Sequence, residues 1–264
     1  SRTDARRAIG VRWPLRGMLV RDALPALGAI VGIAVVVYVA SWSGWFLTDD
    51  GYYRNWAADR TTSFAFIPDV IRSWWHYHVE AFRFHRGLDD PHVYESHPAG
   101  WLVLARPVSF FYTGIDAGEP GGDAAGGCSR AVLGIGTPTF WWLGVIALGY
   151  CLWRWIARRD WRAGAVLSGL VAGYLPWFYY AERTVFYFYA IVLVPFTALA
   201  TSMLLGAVMG PADASPRRRG LGIGIAGGLV LLVLLTFYWF WPIYTADQIP
   251  TDQWRKRMWF HTWI

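Results

Sequence analysis

Glu182-Arg183-Thr184-Val185-Phe186-Tyr187-Phe188-Tyr189-Ala190-Ile191-Val192-Leu193-Val194-Pro195-Phe196 sets an acidic and a basic residue at the mouth of an apolar segment, with a run of aromatic rings directly below. From Val185 to Met209 no charged residue occurs. A helix over that stretch is long enough, at about 1.5 Å per residue, to cross a hydrocarbon layer of ~30 Å. A charge at such a boundary is costly unless it has a partner or a task.

Reading outward, the same pattern predicts further spans at about Leu24–Phe46, Ala131–Trp153, Ala163–Tyr180 and Leu221–Trp241. The expected fold class is therefore all-α integral membrane, with about five transmembrane helices. Composition agrees: of 264 residues, 55% are hydrophobic and 18% aromatic, with 18 Trp, too apolar for an ordinary soluble domain. The chain divides into a basic segment (1–23), a first span (24–46), a long loop (47–130), a four-helix membrane region (131–241) and a polar, aromatic tail (242–264).

Alternate connections fall on opposite sides of the membrane. Arg2, Arg6, Arg7, Arg12, Arg16 and Arg21, the Arg154–Arg162 connection and Arg217–Arg219 share one side. The positive-inside rule puts that side, with the N-terminus, in the cytoplasm. The long loop, Arg183 and the tail are then extracytoplasmic. The net charge of +6 is carried almost wholly by arginine, Lys256 being the one lysine. An arginine excess has two readings: phosphate ligation through the planar fork, and a GC-rich genome. The first residue is Ser1 and no signal-peptide pattern follows, so the chain is expected to start inside a longer protein.

Within the long loop, Pro68–Arg86 reads as an amphipathic helix lying in the membrane interface, because Ile71, Trp74, Trp75, His78 and Phe82 recur at helical spacing. Packing of that helix on the membrane domain is the other reading. His97–Tyr112 is too short for a span and reads as re-entrant or interfacial. Gly114–Gly127 reads as a mobile surface loop. Cys128 and Cys151 should lie near opposite membrane faces, and imply neither a disulfide nor a metal site.

Arg183, at the outer boundary, suits the phosphate of a lipid carrier. Snorkelling of a helix-end arginine is the other reading. Asp49 and Asp50 follow the first span and suit a general base or cation ligand, or a solvated loop start. His76, His78, His85, His92 and His97 crowd the loop, but residues two apart on a helix point in different directions, which argues against a two-ligand metal site there. No cofactor is expected; a divalent metal has no ligand pattern to support it. No nucleotide cradle, nucleophile elbow or zinc signature occurs, and nothing points to nucleic acid. The spans hold almost no interior charge and no internal repeat, which argues against a transporter.

Four stretches in order resemble the protein O-mannosyltransferase family, most closely the actinobacterial polyprenyl-phosphate-mannose–protein mannosyltransferases. They are Ser43-Gly44-Trp45-Phe46-Leu47-Thr48-Asp49-Asp50-Gly51-Tyr52, then His97-Pro98-Ala99-Gly100-Trp101 leading into Leu104–Tyr112, then Glu182–Tyr189 running to Pro195-Phe196, and Trp254-Arg255-Lys256-Arg257-Met258-Trp259 with Trp263-Ile264. The resemblance is to the C-terminal half of these GT-C membrane glycosyltransferases. It implies transfer of mannose from a polyprenyl phosphate to Ser or Thr of an unfolded secreted protein, with inversion, in contact with membrane lipid and the translocation machinery. The family's signature Asp-Glu pair has no counterpart here, since no Asp-Glu dipeptide occurs. No catalytic residue is therefore assigned, with Asp49 and Asp50 held only as a fallback, and the chain alone is expected to be inactive. On this resemblance Arg183 is assigned to the lipid phosphate with Arg106 as a second cation, Tyr187 and Tyr189 to the lipid groove, and His97 and Trp101 to the sugar or acceptor cleft. The competing readings are another polyprenyl-phosphate-sugar transferase acting on glycan or lipid, and a non-catalytic membrane scaffold.

Overall fold

The computed structural model describes residues 8–10, 13–58, 60 and 64–264. Arg2, Arg6, Arg7 and Arg12 of the basic segment lie outside the described residues. The chain forms two compact units, Ser1–His85 and Arg86–Ile264.

In the first unit a short helix (Pro14–Met18) runs through a π-helical turn (Leu19–Ala23) into α1 (Leu24–Ser41). The π-turn has a local cause. Pro25 cannot donate to a carbonyl four residues back, and its ring would crowd that carbonyl. Widening the turn, with Leu24 N–H bonded to the Leu19 carbonyl, lets the helix continue. α1 is apolar on every face, and the continuous segment Leu15–Ser41 is long and apolar enough to span a membrane. A second helix, α2 (Asp69–Arg86), is strongly amphipathic. Tyr38, Trp42 and Phe46 from the α1 side meet Trp74, Tyr77 and His78 of α2 edge-on or tilted. The Tyr38 hydroxyl also bonds His78 Nε2, while His78 Nδ1 lies 2.7 Å from the Trp74 carbonyl. Ser73, fully buried, accepts the Ala57 N–H at 3.1 Å and ties the intervening loop to α2.

The second unit is a bundle of α3 (Pro138–Arg158), α4 (Trp161–Tyr179), α5 (Val194–Met209) and α6 (Pro216–Phe240). Among the described residues, α3, α6 and the segment Tyr187–Met209 join Leu15–Ser41 as helices long and apolar enough to cross a membrane. α4, which carries Arg162 in its first turn and Pro176 near its end, is not among them, and it packs on α3 and α5. Small residues make these contacts: Ala147, Ala163 and Ala200 are wholly buried where α3, α4 and α5 meet. A Cβ on Gly144 would fall 2.2 Å from Thr197 Cγ2, so only glycine lets α3 approach α5 this closely. Gly222 likewise meets the α5 backbone. Gly224, Gly227 and Gly228, further along α6, have open space where a Cβ would point.

Two stretches differ from expectation. His97–Tyr112 is a 3₁₀-helix (Pro98–Val103) followed by β1 (Val108–Ile115), and Ala131–Gly134 belongs to β2 (Cys128–Gly134) rather than to the next span. With β3 (Ile249–Pro250) these form a small antiparallel sheet in the order β1-β2-β3. Val108 pairs with Gly134 and Ile115 with Cys128, with a bulge between Ser109 and Phe111. β-branched and aromatic residues favour the pleat, and the ladder supplies partners for the backbone groups of the largely buried β2. The connection 116–127 is hydrogen-bonded rather than open: Gly122 N–H bonds the Glu119 carbonyl, and Gln248 Nε2 donates to the Gly121 carbonyl. Cys128 and Cys151 are both free and buried.

Candidate functional site

The site is built on the connection between α4 and α5. After α4 ends at Tyr179, Arg183 N–H closes a turn on the Tyr180 carbonyl. The chain is then stitched to an earlier segment: Thr184 N–H donates to Leu88 O, Thr184 Oγ1 donates to Asp90 O, and Ser96 N–H donates to Val185 O. Thr184 and Val185 are buried by this pairing. Arg183 itself is only partly covered, and makes no ion pair with Glu182 or any other carboxylate among the described residues. Its Nε is buried without a hydrogen-bond partner. A guanidinium held half out of water with an unused donor is destabilised until an acceptor arrives.

Past Arg183 the chain forms a 3₁₀-helix, Tyr187–Leu193, before Pro195 opens α5 in its first turn. Three residues per turn put every third side chain on one face. Tyr187, Ala190 and Leu193 are accordingly the buried set. Phe188, Ile191 and Val194 form the neighbouring row, and with Tyr187, Trp141 and Gly136 they line an open cavity of about 340 Å³. Its wall is nearly all apolar. Phe186 stacks on Phe188 at 5.4 Å, with His92 edge-on to Phe186 and Phe110 tilted to Phe188, so a line of rings runs beside the cavity.

Tyr187 and Tyr189, assigned together to a lipid groove, are separated by this geometry. Tyr187 lines the cavity. Tyr189 turns away, stacked on Trp177 at 4.4 Å and near Trp101. The row Phe188–Ile191–Val194 does not stand out in the sequence, where a period of three inside an apolar run resembles an ordinary helix.

His97 caps the Pro98–Val103 helix, its Nδ1 accepting the Ala99 N–H at 3.2 Å, and its exposed ring stands edge-on to Phe178. Trp101 does not line an open cleft. It is 1% exposed, and its indole N–H is shared between Ser96 O and Ser96 Oγ at 3.1 and 3.0 Å. Its position is fixed by core packing with Trp177 and Tyr174, and Tyr174 in turn donates to the Pro98 carbonyl. The pocket reading of Trp101 is thereby corrected: a fully enclosed indole has no face left for a sugar.

Arg106 is likewise committed. Nε and Nη2 donate to the Val93 carbonyl, and Nη1 donates to the carbonyls of Thr262 and Ile264. It clamps residues 93 and 262–264 to the start of β1, whereas Arg183 has its donors to spare. Beside it Leu104, in a left-handed conformation (φ 62°), presents its carbonyl to the Trp263 indole at 2.7 Å.

In the first unit, Asp49 and Asp50 are exposed, and Asn55 Nδ2 bonds the Asp49 carbonyl. His76 stacks on Trp56 at 3.7 Å, and desolvation holds its pKa below the ordinary imidazole value. Among the described residues no three His, Cys, Asp or Glu side chains converge on a point where a metal could sit.

Residues 70–263 match a family model described as the C-terminal four TMM region of protein-O-mannosyltransferase. The bundle helices α3 to α6 all fall in that range, as does nearly all of α2. The chain is 39% identical over 265 residues to a polyprenol-phosphate-mannose–protein mannosyltransferase of Mycolicibacterium smegmatis, covering 98% of this chain and 51% of the relative. It is 36% identical to the protein of that name from Mycobacterium tuberculosis, again over 98% of this chain and 50% of the relative. It thus spans about half the length of the curated relatives it matches. Its fold is similar to the structure of the S. cerevisiae protein O-mannosyltransferase Pmt1-Pmt2 complex bound to the sugar donor, with a TM-score of 0.59, 22% identity, and coverage of 74% of this chain and 27% of that one.

Proposed function

From the chain's membership of the protein O-mannosyltransferase family, as a multi-pass membrane protein matching the C-terminal membrane region, we propose that it is the lipid-binding and scaffolding half of an enzyme moving mannose from a polyprenyl phosphate to Ser or Thr of secreted proteins. The observation that carries the reading is Arg183: a half-buried cation with an unpartnered Nε, four residues before the first ring of an apolar cavity. A phosphate satisfies the first and an isoprenoid chain suits the second.

In this reaction the acceptor hydroxyl attacks the anomeric carbon of mannose as the bond from that carbon to the phosphate oxygen breaks. The configuration inverts, the hydroxyl proton passes to a carboxylate base, and polyprenyl phosphate departs. Arg183 stabilises the negative charge growing on the departing phosphate. Phe188, Ile191 and Val194 hold the first isoprene units, and the exposed imidazole of His97 faces the sugar or acceptor. Arg106 acts by positioning, through the carbonyls it clamps. The base is expected from an Asp-Glu loop outside these 264 residues, because the sequence holds no such pair and Asp49 and Asp50 belong to a different loop. The arginine-rich ends of the bundle face the cytoplasm, which sets Arg183 on the extracytoplasmic side, where an unfolded acceptor arrives from the translocation machinery.

The test is mannose transfer to a Ser/Thr-rich peptide by this chain in lipid, alone and with an N-terminal half carrying the Asp-Glu loop. Silence alone and activity on mixing are expected. Transfer by the chain alone would place the base at Asp49 or Asp50 and overturn the division of labour; silence in both, with donor bound normally, would count against the assigned reaction.

A further inference from the structure

A second cavity lies at the other end of α4, among the arginine-rich connections. Its volume is about 470 Å³, and its walls include Tyr150 and Arg154 of α3, Asp160 and Arg162 at the start of α4, and Met203 and Gly206 of α5. The α5 wall is apolar and belongs to a membrane-spanning helix. The turn between α3 and α4 supplies a polar rim.

The charges on that rim are unequally committed. Arg154 donates through Nε and Nη2 to Asp160 Oδ2 and through Nη1 to the Tyr150 hydroxyl at 3.2 Å. Asp160 also accepts the Arg162 backbone N–H at 3.1 Å. The aspartate is therefore neutralised by its own neighbour. The Arg162 guanidinium makes no hydrogen bond or direct ion pair among the described residues and feels Asp160 only through the longer-range field, so its donors stay open on the rim. A further guanidinium, that of Arg218, lies against Gly210 at the same end: its Cζ is 3.7 Å from where a Gly210 Cβ would sit, and its Nη1 donates to the Val208 carbonyl at 2.8 Å.

A cationic rim above an apolar wall at the membrane boundary matches an amphiphile with an anionic head. We propose that this cavity binds one anionic phospholipid of the surrounding leaflet, its phosphodiester on Arg162 and its acyl chain along Met203 and Gly206. The planar guanidinium offers two parallel donors to a phosphate, and basic pockets between helix ends suit such head groups. The site is remote along α4 from the donor cavity, and it holds whether or not the transferase reading does.

Native mass spectrometry of the delipidated full chain tests it, with phosphatidylglycerol, phosphatidylcholine of the same acyl chains, and inorganic phosphate as probes. One phosphatidylglycerol should be retained in preference to phosphatidylcholine. Arg162→Ala should weaken retention about tenfold, the loss of one charge-assisted contact, and Arg162→Lys should restore part of it. Gly206→Phe should fill the cavity and remove retention, since a Cβ at Gly206 meets nothing within 4 Å. If Gly206→Phe lowers the lipid-free melting temperature, the two Arg162 variants decide. Equal retention of both lipids, or retention unchanged in the Arg162 variants, overturns the proposal. So does equal protection by millimolar inorganic phosphate, which would make this a soluble-anion site.

Discussion

Arg183→Met and Arg106→Met should part company in stability and in donor binding. Methionine keeps much of the apolar stem and deletes the guanidinium. At Arg183 no side-chain hydrogen bond among the described residues is lost, and one buried unpartnered Nε is removed. Leaving such a donor unsatisfied costs about 1–3 kcal/mol, so the empty protein should be no less stable, and by this reasoning slightly more. Polyprenyl phosphate should then bind more weakly by about 1.5–3 kcal/mol, the worth of a hydrogen bond to a charged group, or roughly 10- to 150-fold. At Arg106, four hydrogen bonds to the carbonyls of Val93, Thr262 and Ile264 disappear. Discounted for partial exposure, that loss should destabilise by about 2 kcal/mol. Thermal unfolding in detergent, paired with a polyprenyl-phosphate titration, measures both. If Arg183→Met unfolds as early as Arg106→Met while binding the phosphate normally, Arg183 is a structural residue and the phosphate assignment fails.

Trp101→Phe should lower stability by about 2–3 kcal/mol, from the two lost indole bonds to Ser96 and the space left by the smaller ring; faster protease cleavage within residues 88–96 would locate the damage. Gly144→Ala should destabilise by about 1–3 kcal/mol, because the new Cβ meets Thr197 at 2.2 Å. Gly149→Ala, in the same helix but facing open space, should be neutral or stabilising by up to about 1 kcal/mol, and thermal midpoints compare the two. The Asp160 carboxyl is held below its ordinary range by the hydrogen bond from Arg154. Its contribution is thus fully present above the ordinary carboxylate pKa of about 4 and is lost as pH falls through the lower folded value. A melting-temperature profile from pH 6 to pH 3 should flatten at its acid end in Asp160→Asn.

The long apolar spans were legible because an uncharged apolar run of such length has little use outside a bilayer, and α4 was found as a helix despite its glycines and tyrosines because charges bracket it. The sheet was not. Val108–Ile115 is an apolar run of strand length rich in aromatic and β-branched residues, yet in the sequence it reads as part of a membrane-dipping segment; its brevity after Arg106-Pro107 was the available signal. Ala131–Gly134 merged into α3 because Ala131–Trp153 is apolar throughout, although Gly134, Gly136 and Pro138 mark the break. At the site, Arg183 stood out as a charge beside an apolar run. The employment of Arg106 did not, since its partners lie 13 and 156 or more residues away and are backbone carbonyls of no distinctive type. The burial of Trp101 and the stacking of Tyr189 on Trp177 were hidden for a related reason: an aromatic side chain looks the same in a sequence whether it faces a ligand or another tryptophan.

The bond from Trp263 to the Leu104 carbonyl joins positions 159 residues apart, and this has a consequence for assembly. A ribosome delivers the chain in order, so the loop that carries His97, Trp101 and Arg106 must wait, largely synthesised and without its final lock, until all four bundle helices have been inserted and the last aromatic residues emerge. Closing so long an interval makes this a late event in folding. Pulse-labelled chains arrested before Trp254 should therefore display a membrane-inserted bundle whose extramembrane loop remains open to proteases, and release of the final residues should seal it.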